Sequence, residues 1–251
     1  MNLMYLAKEL YWLGRKSPRS VPFALRSLVR SFKRPVVDVD GVLLRLDPGF
    51  SLEVLTALAR GAYERPELQM VDAQLEEADV VLEIGSGLGF IATYCAKRIG
   101  SERIFAFEGN PGLEPIVRET FRLNKVSPTF ESCLIGRSNG EVDFYVTNSF
   151  WASSTKKIPG SRKSVVQMKA FRQEVASIQP TFLIIDIEGG EVDLFSDAQD
   201  CLKTVRKIAI EVHPWIVGND AIDAMERRLL EAGFKRVAAL STPGRYLFLT
   251  R

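Results

Sequence analysis

Little in this chain would place it outside the cytosol or brace it covalently. No stretch approaches the ~20 uninterrupted apolar residues that span a bilayer, and the N-terminus lacks the compact apolar run and small-residue cleavage site of a secretory signal. The three cysteines, Cys95, Cys133 and Cys201, stand far apart with no CxxC spacing. That argues against a disulfide framework or a cysteine zinc site and favours a reducing compartment. A cytoplasmic protein is therefore expected. Histidine is nearly absent, with His213 alone in the chain, and there is no internal repeat or long low-complexity tract. Charge of one sign is scarce overall, with 33 Lys and Arg against 31 Asp and Glu. It is also unevenly spread: residues 1–34 carry Lys8, Arg15, Lys16, Arg19, Arg26, Arg30, Lys33 and Arg34 against Glu9 alone, which is +7 there and −5 for the remainder. A nucleic-acid binder would be expected to carry its basic residues on the working face of the main domain; no nucleic-acid partner is expected, and the segment reads as a surface contact.

Apolar residues, by contrast, make up 46% of the 251, enough for a sizeable core. The expected organisation is a basic, amphipathic helical extension over residues 1–35 and one α/β domain over 36–251. In the extension, LMYLAKELYWL places Leu3, Leu6, Leu10 and Leu13 at helical spacing, and a second short helix can follow Pro22. The arm suits peripheral contact with anionic lipid at the inner membrane face, or with a protein partner; a helical cap docked on the domain is the alternative.

Residues 36–46, VVDVDGVLLRL, alternate apolar and polar around Gly41 and predict a small hairpin. A helix from Leu52 to Tyr63 is expected next. From Val80 onward, strand, turn and helix repeat in the manner of a doubly wound, mostly parallel sheet. Seven strands are expected: Val80–Ile84, Arg103–Phe107, Thr129–Ile135, Phe182–Ile187, Lys207–Val212, Phe234–Leu240 and Tyr246–Thr250. The rhythm breaks after the third, with a hairpin predicted at Glu141–Thr147 and then a polar stretch, WASSTKKIPGSRKS, from Trp151 to Ser164. Loops this long in compact domains are usually functional or disordered.

The segment VVLEIGSGLGF runs a buried-type strand into Gly85, Ser86, Gly87 and Gly89, with a helix to follow. Glycines permit a tight turn and close approach of backbone to ligand, and a helix N-terminus offers free amides and a positive dipole end. The spacing is GxGxG, whereas a dinucleotide fingerprint is GxGxxG. Glu83, just ahead of the turn, would repel a pyrophosphate but attract the sulfonium and amino groups of S-adenosylmethionine. The next strand ends in Glu108, Gly109 and Asn110, and Glu108 stands where a carboxylate accepts ribose hydroxyl hydrogens. An NAD-dependent oxidoreductase is disfavoured on these grounds.

These residues resemble the FkbM-type S-adenosylmethionine-dependent methyltransferases, within the class I methyltransferase fold. The resemblance runs from about Val80 to Val212 and includes EGNP, FLIIDIEGGEVDLF from Phe182 to Phe195, and IEVHP from Ile210 to Pro214. It implies a seven-stranded Rossmann-like sheet and methylation of a hydroxyl oxygen on a sugar, glycan or secondary-metabolite acceptor. Glu83 departs from the Asp often found there, and the basic arm is a further departure.

Methyl transfer is an in-line displacement, so the protein must chiefly hold donor and acceptor in line and help an alcohol lose its proton. In open α/β sheets this chemistry lies beyond the carboxyl ends of the strands. Asp186, Glu188 and Glu191 follow one such end, and Glu211 and His213 another. His213, with an unperturbed pKa near 6.5, is the favoured base, a structural histidine being the alternative. Asp186, Glu188 and Glu211 complete the catalytic candidates, and Asp186 can also face the donor. Glu191 is a candidate for acceptor binding or for a solvent-facing first turn of a helix. Trp151, Ser153 and Ser154 are candidates for an acceptor-facing lip. No metal is assigned, although a divalent cation at Asp186 and Glu188 would suit paired oxygen ligands. A non-catalytic adapter that docks through the basic arm is the contrasting reading.

Overall fold

The computed structural model describes residues 10, 11, 15, 21–33, 35–147, 155, 157, 160–196 and 199–251. Most of the first amphipathic helix, and Trp151, Ser153 and Ser154, lie outside the described residues. Helix α1 (Val21–Ser31) is described, and it leaves Val29 64% and, just beyond its end, Phe32 66% exposed. The expected hairpin forms from β1 (Val36–Val39) and β2 (Val42–Arg45). Its two-residue turn has Asp40 and Gly41 at φ 47° and 84°, the positive pair such hairpins need, and the Asp38 carboxylate accepts the Gly41 N–H at 2.7 Å.

Helix α2 (Leu52–Ala59) starts at Ser51, whose hydroxyl accepts the Val54 N–H. It stops four residues short of Tyr63, because Gly61 at φ 63° and Glu64 at φ 44° turn the chain. A separate helix α3 (Arg65–Gln74) then begins with Pro66 in its first turn, where a missing N–H costs nothing.

The main sheet has seven strands: β3 (Val81–Ile84), β4 (Ile104–Phe107), β5 (Thr129–Glu131), β9 (Phe182–Ile185), β10 (Lys207–Glu211), β11 (Lys235–Arg236) and β12 (Tyr246–Thr250). Their order is β11-β12-β10-β9-β3-β4-β5. The five from β10 to β5 run parallel, while β12 pairs antiparallel with both β10 and β11. All four residues of β3 and all four of β9 are buried, as expected for parallel strands covered on both faces. Helices α4 (Phe90–Ile99) and α5 (Glu114–Asn124) follow β3 and β4. The chain builds outward from β3 in one direction through β4 and β5 and, after β9, in the other through β10. The β3–β9 junction is therefore the topological switch point, where such sheets open a crevice for ligand.

Three expectations are corrected. The strand foreseen over Thr129–Ile135 is two: β5 ends when its partner β4 ends, since Phe107 opposite Glu131 is the last pair. The chain then turns through Ser132 and buried Cys133 into β6 (Leu134–Gly136), which belongs to a second, three-stranded sheet ordered β6-β8-β7. In that sheet β7 (Gly140–Val146) pairs antiparallel with β8 (Arg162–Ala170) over seven residue pairs. The hairpin thus spans a long connection, and the end of the supposed polar loop is strand. Finally, only Lys235 and Arg236 of the stretch Phe234–Leu240 form strand; Ala238–Leu240 is a 3-10 turn, leaving a short outer edge that offers few unpaired backbone groups. After β8 come α6 (Phe171–Ile178) and, beyond β9, α7 (Glu191–Leu194), α8 (Pro214–Val217) and α9 (Asn219–Glu231).

Candidate functional site

The glycine bend is clamped from both neighbouring strands. The Gly85 and Ser86 N–H groups both donate to the Phe107 carbonyl, at 2.9 and 3.0 Å, which ties the bend to the end of β4. On the other side the Asp186 N–H donates to the Ile84 carbonyl at 3.0 Å. Gly85 has φ 89°, and a Cβ there would overlap the Asp186 carbonyl oxygen and lie 2.8 Å from its carbon. Only glycine lets the two strand ends meet. Gly89, at φ 75°, opens α4, and a Cβ there would press on Phe121 and Val117 at 3.0 Å.

Two carboxylates flank the bend. Glu83 is 2% exposed and accepts the Ser86 hydroxyl at 2.7 Å. Glu108 accepts the Gly87 N–H at 2.8 Å through one oxygen and the Asn110 N–H at 2.7 Å through the other. Burial pushes both acids up to about 7, against the hydrogen bonds that favour their ionised forms. Asn110 is buried and its side chain accepts the Gly112 N–H. Gly109 has a packing role: a Cβ would run into Leu134 of β6, with Phe144 of β7 at 3.7 Å, so this glycine lets the small sheet close on the main one.

Sequence reading did not foresee the cover over this bend. Tyr63 is 2% exposed, and its hydroxyl and the Glu64 Oε1 lie 2.9 and 3.1 Å from where a Cβ on Gly87 would stand. Tyr63 also meets Phe90 edge to face at 5.9 Å. The strap between α2 and α3 thus lies directly on the glycine turn. Beneath it, Glu64, Glu67, Glu83, Gly85, Asp186 and Glu211 line a cavity with about 10 Å³ of free interior.

At the ends of β9 and β10 the predicted acids and the histidine do converge, because these strands are parallel neighbours. His213 is 1% exposed. Its Nε2 lies 3.6 Å from both Asp186 Oδ1 and Glu188 Oε1, beyond hydrogen-bonding distance, and its Nδ1 lies 3.3 Å from Glu191 Oε1. The same Glu191 oxygen accepts the His213 backbone N–H at 2.8 Å. Glu191 is 0% exposed. It is therefore neither an acceptor-facing side chain nor a solvated first-turn acid, as expected above, but the group that fixes the histidine. Trp215 stands edge to face with the imidazole at 5.1 Å, closing another side.

Glu188 is more open, its side chain 26% exposed, and it holds φ 34°, a left-handed conformation unusual for a non-glycine residue. Gly189 beside it has φ 89° and packs under Ile216. Burial raises the acids here. Asp186 goes to about 8 against the opposing charge of His213, and Glu188 moves up for the same reason. Glu211 goes to about 10, from burial and then from its contact with Glu67. For His213 burial acts downward, but the Glu191 hydrogen bond and the surrounding carboxylates outweigh it, and the net shift is upward. Glu67 of α3, not singled out from sequence, had no local signal: it is one of two acids on that helix.

Comparison with known proteins supplies the context. Residues 79–236 match the family model described as the methyltransferase FkbM domain. Over 161 residues the chain is 23% identical to the hexuronic acid methyltransferase AglP of Haloferax volcanii, covering 62% of this chain and 65% of that one. Over 120 residues it is 31% identical to MJ0928 of Methanocaldococcus jannaschii, provisionally named a protein N5-glutamine methyltransferase, covering 45% and 53%. The chain thus matches less than two thirds of the length of either relative. A solved precorrin-6y C5,15-methyltransferase from Geobacter metallireducens is 16% identical, with 75% of this chain and 87% of that one covered, at a TM-score of 0.45.

Proposed function

The chain belongs to the family of methyltransferases with an FkbM domain, whose methyl donor is S-adenosylmethionine, and from that premise we propose that it methylates a hydroxyl oxygen of a sugar, glycan or secondary-metabolite acceptor. The observation that carries the reading is Glu188: an accessible carboxylate held in a strained backbone conformation, 3.6 Å from a buried histidine and two residues beyond Asp186, whose carbonyl abuts Gly85. Strain of this kind persists where the surroundings enforce it, and it clusters at active sites.

The residues at the bend fit the donor. The backbone approaches closely where a Cβ would block it, and Glu83 and Glu108 offer buried negative charge to a cationic nucleoside. Glu108 would hold the ribose hydroxyls, and Glu83 would face the positive end. When bound, the donor would supply an electrophilic methyl carbon, its C–S bond breaking to leave neutral S-adenosylhomocysteine. Glu188 then accepts the acceptor hydroxyl's proton as its oxygen attacks. His213, the base favoured from sequence, is too enclosed for that task; Glu191 fixes it beside Glu188. A nucleoside needs a site of several hundred Å³, so the Tyr63–Glu64 strap swings away to admit it, with Gly61 as a hinge.

The sugar acceptor is supported by the name of the Haloferax volcanii relative. The test is incubation of the purified chain with methyl-labelled donor and a panel of uronic acids, neutral sugars and glutamine-containing peptides. Base-stable labelled methyl ethers on a sugar are expected. Label found only as base-labile esters, or only on peptide amide nitrogen, would overturn the hydroxyl assignment.

A pH dependence follows from Glu108. Its folded pKa of about 7 lies above the usual 4.5, so the folded state holds the proton longer than the unfolded chain. The associated stability is present below the unfolded value and is lost as pH rises from there through 7. Ribose hydroxyls donate to the ionised form, so donor affinity runs the opposite way. Calorimetric titration should give binding roughly tenfold weaker at pH 6 than at pH 8, and Glu108→Gln should flatten that difference. An unchanged slope in the variant would remove Glu108 from the donor site.

A further inference from the structure

The cavity under the strap has an imbalance of charge of which the methyl-transfer reading uses only Glu83. Five carboxylates line it, from Glu64 and Glu67 on one side and Glu83, Asp186 and Glu211 on the other, with no basic side chain among the lining residues. Arg245 approaches Glu211 from outside at 3.6 Å. Two of the oxygens concerned are fully buried and without a hydrogen-bond partner: Asp186 Oδ1, and Glu67 Oε2 on a residue only 7% exposed. A buried acceptor left unmade is costly, and a carboxylate more so. The free interior of about 10 Å³ suits one water-sized occupant and nothing larger.

The side chains meet the requirements of a metal. One ligand atom each from Asp186, Glu211 and His213 lie within 4.8 Å of one another, so that side-chain adjustments of about an ångström would bring all three within bonding distance of a shared centre. His213 is already prepared as a ligand. Its Nδ1 faces the buried Glu191 carboxylate at 3.3 Å, and a proton held there leaves the Nε2 lone pair free, 3.6 Å from both Asp186 Oδ1 and Glu188 Oε1, as in the carboxylate–histidine–metal arrangement that fixes tautomer and ring orientation. Mixed imidazole and carboxylate donors suit a divalent first-row ion such as manganese.

We infer that Asp186, Glu211 and His213 form a divalent-cation site, with Glu67 as an additional oxygen donor from α3. The ion links the ends of β9 and β10 to α3, next to the strap. Glu188, outside the ligand set, keeps its place beside the acceptor. The inference shares the Asp186–His213 region with the proposed reaction, but its test needs neither donor nor acceptor.

The full chain, stripped with chelator and dialysed, is titrated with manganese chloride while the electron paramagnetic resonance signal of free Mn2+ is followed. One ion bound per chain at micromolar concentration is expected, with Asp186→Asn and Glu211→Gln each weakening binding at least tenfold. Circular dichroism melts show whether each variant is folded, and His213→Ala serves if one of them is not. The inference is overturned if the folded wild-type chain binds no ion, or if folded variants bind as tightly as wild type. Labelled methyl transfer measured separately keeps the two readings apart: transfer at an undiminished rate in chelator sinks the ion alone, and ion binding without transfer sinks only the hydroxyl reading.

Discussion

Glu188→Gln should lower kcat for methyl transfer by about 10²–10⁴-fold, the range for losing a positioned base, while leaving S-adenosylmethionine affinity within about twofold of wild type on the same grounds of separate sites. The substitution keeps size and hydrogen-bonding reach and removes only the ability to take a proton. Glu188 does not line the cavity at Gly85, and the donor carboxylates Glu83 and Glu108 sit on other strands, so ground-state binding should not suffer. Folding should not suffer either: burial and the neighbouring Glu191 outweigh the attraction of His213 for this carboxylate, so neutralising it relieves a net penalty. Steady-state kinetics with a melting curve for each protein decides the matter. A folded variant with kcat within threefold of wild type would mean that the strained backbone at this position serves packing, and that the base lies elsewhere.

Gly85→Ala should be the most damaging small substitution in the molecule, destabilising it by about 3–5 kcal/mol in urea unfolding and abolishing donor binding. Part of the loss is the left-handed φ of 89°, worth about 1–2 kcal/mol for a residue with a Cβ. The rest is steric. The new methyl would overlap the Asp186 carbonyl, and that carbonyl cannot retreat, because β9 is paired with β3 on one side and β10 on the other and the Asp186 N–H is bonded to Ile84. Gly41→Ala separates the two contributions. Gly41 has nearly the same φ, 84°, but nothing within 4 Å of an added Cβ, so it should lose only the conformational part. Equal losses at the two positions would refute the claim that Gly85 is a contact between strands.

Much of the glycine bend and its flanking acids could be read from residues alone. The buried run before Gly85, the three glycines, and an acid closing the next strand are all short-range features, and each appears where the reading put it. The acids after β9 and β10 were also legible, because strand ends in this architecture face one crevice. What escaped was of two kinds. Tyr63, Glu64 and Glu67 reach the site from helices and a strap that precede the first main strand, and no periodicity announces that arrival. Glu191 and His213 stand out by side-chain type, as an acceptor-binding or solvated acid and as a base, but that burial makes them a fixed pair is not legible along the chain.

Local chemistry sufficed for the α/β class, the order of most elements and the cofactor, because turns, helix starts and buried strands are specified by neighbours within a few residues. The pairing of β9 with β3, the split of the third strand and the long reach of β8 back to β7 depended on the whole molecule. A strand end takes the partner that lets the entire sheet bury both faces, and that choice joins residues about a hundred positions apart. It sets Asp186 against Gly85, encloses His213 among acids and closes Tyr63 over the bend. Candidate residues for the chemistry can be picked out along the chain, but their geometry arises only when distant segments compete for the same core.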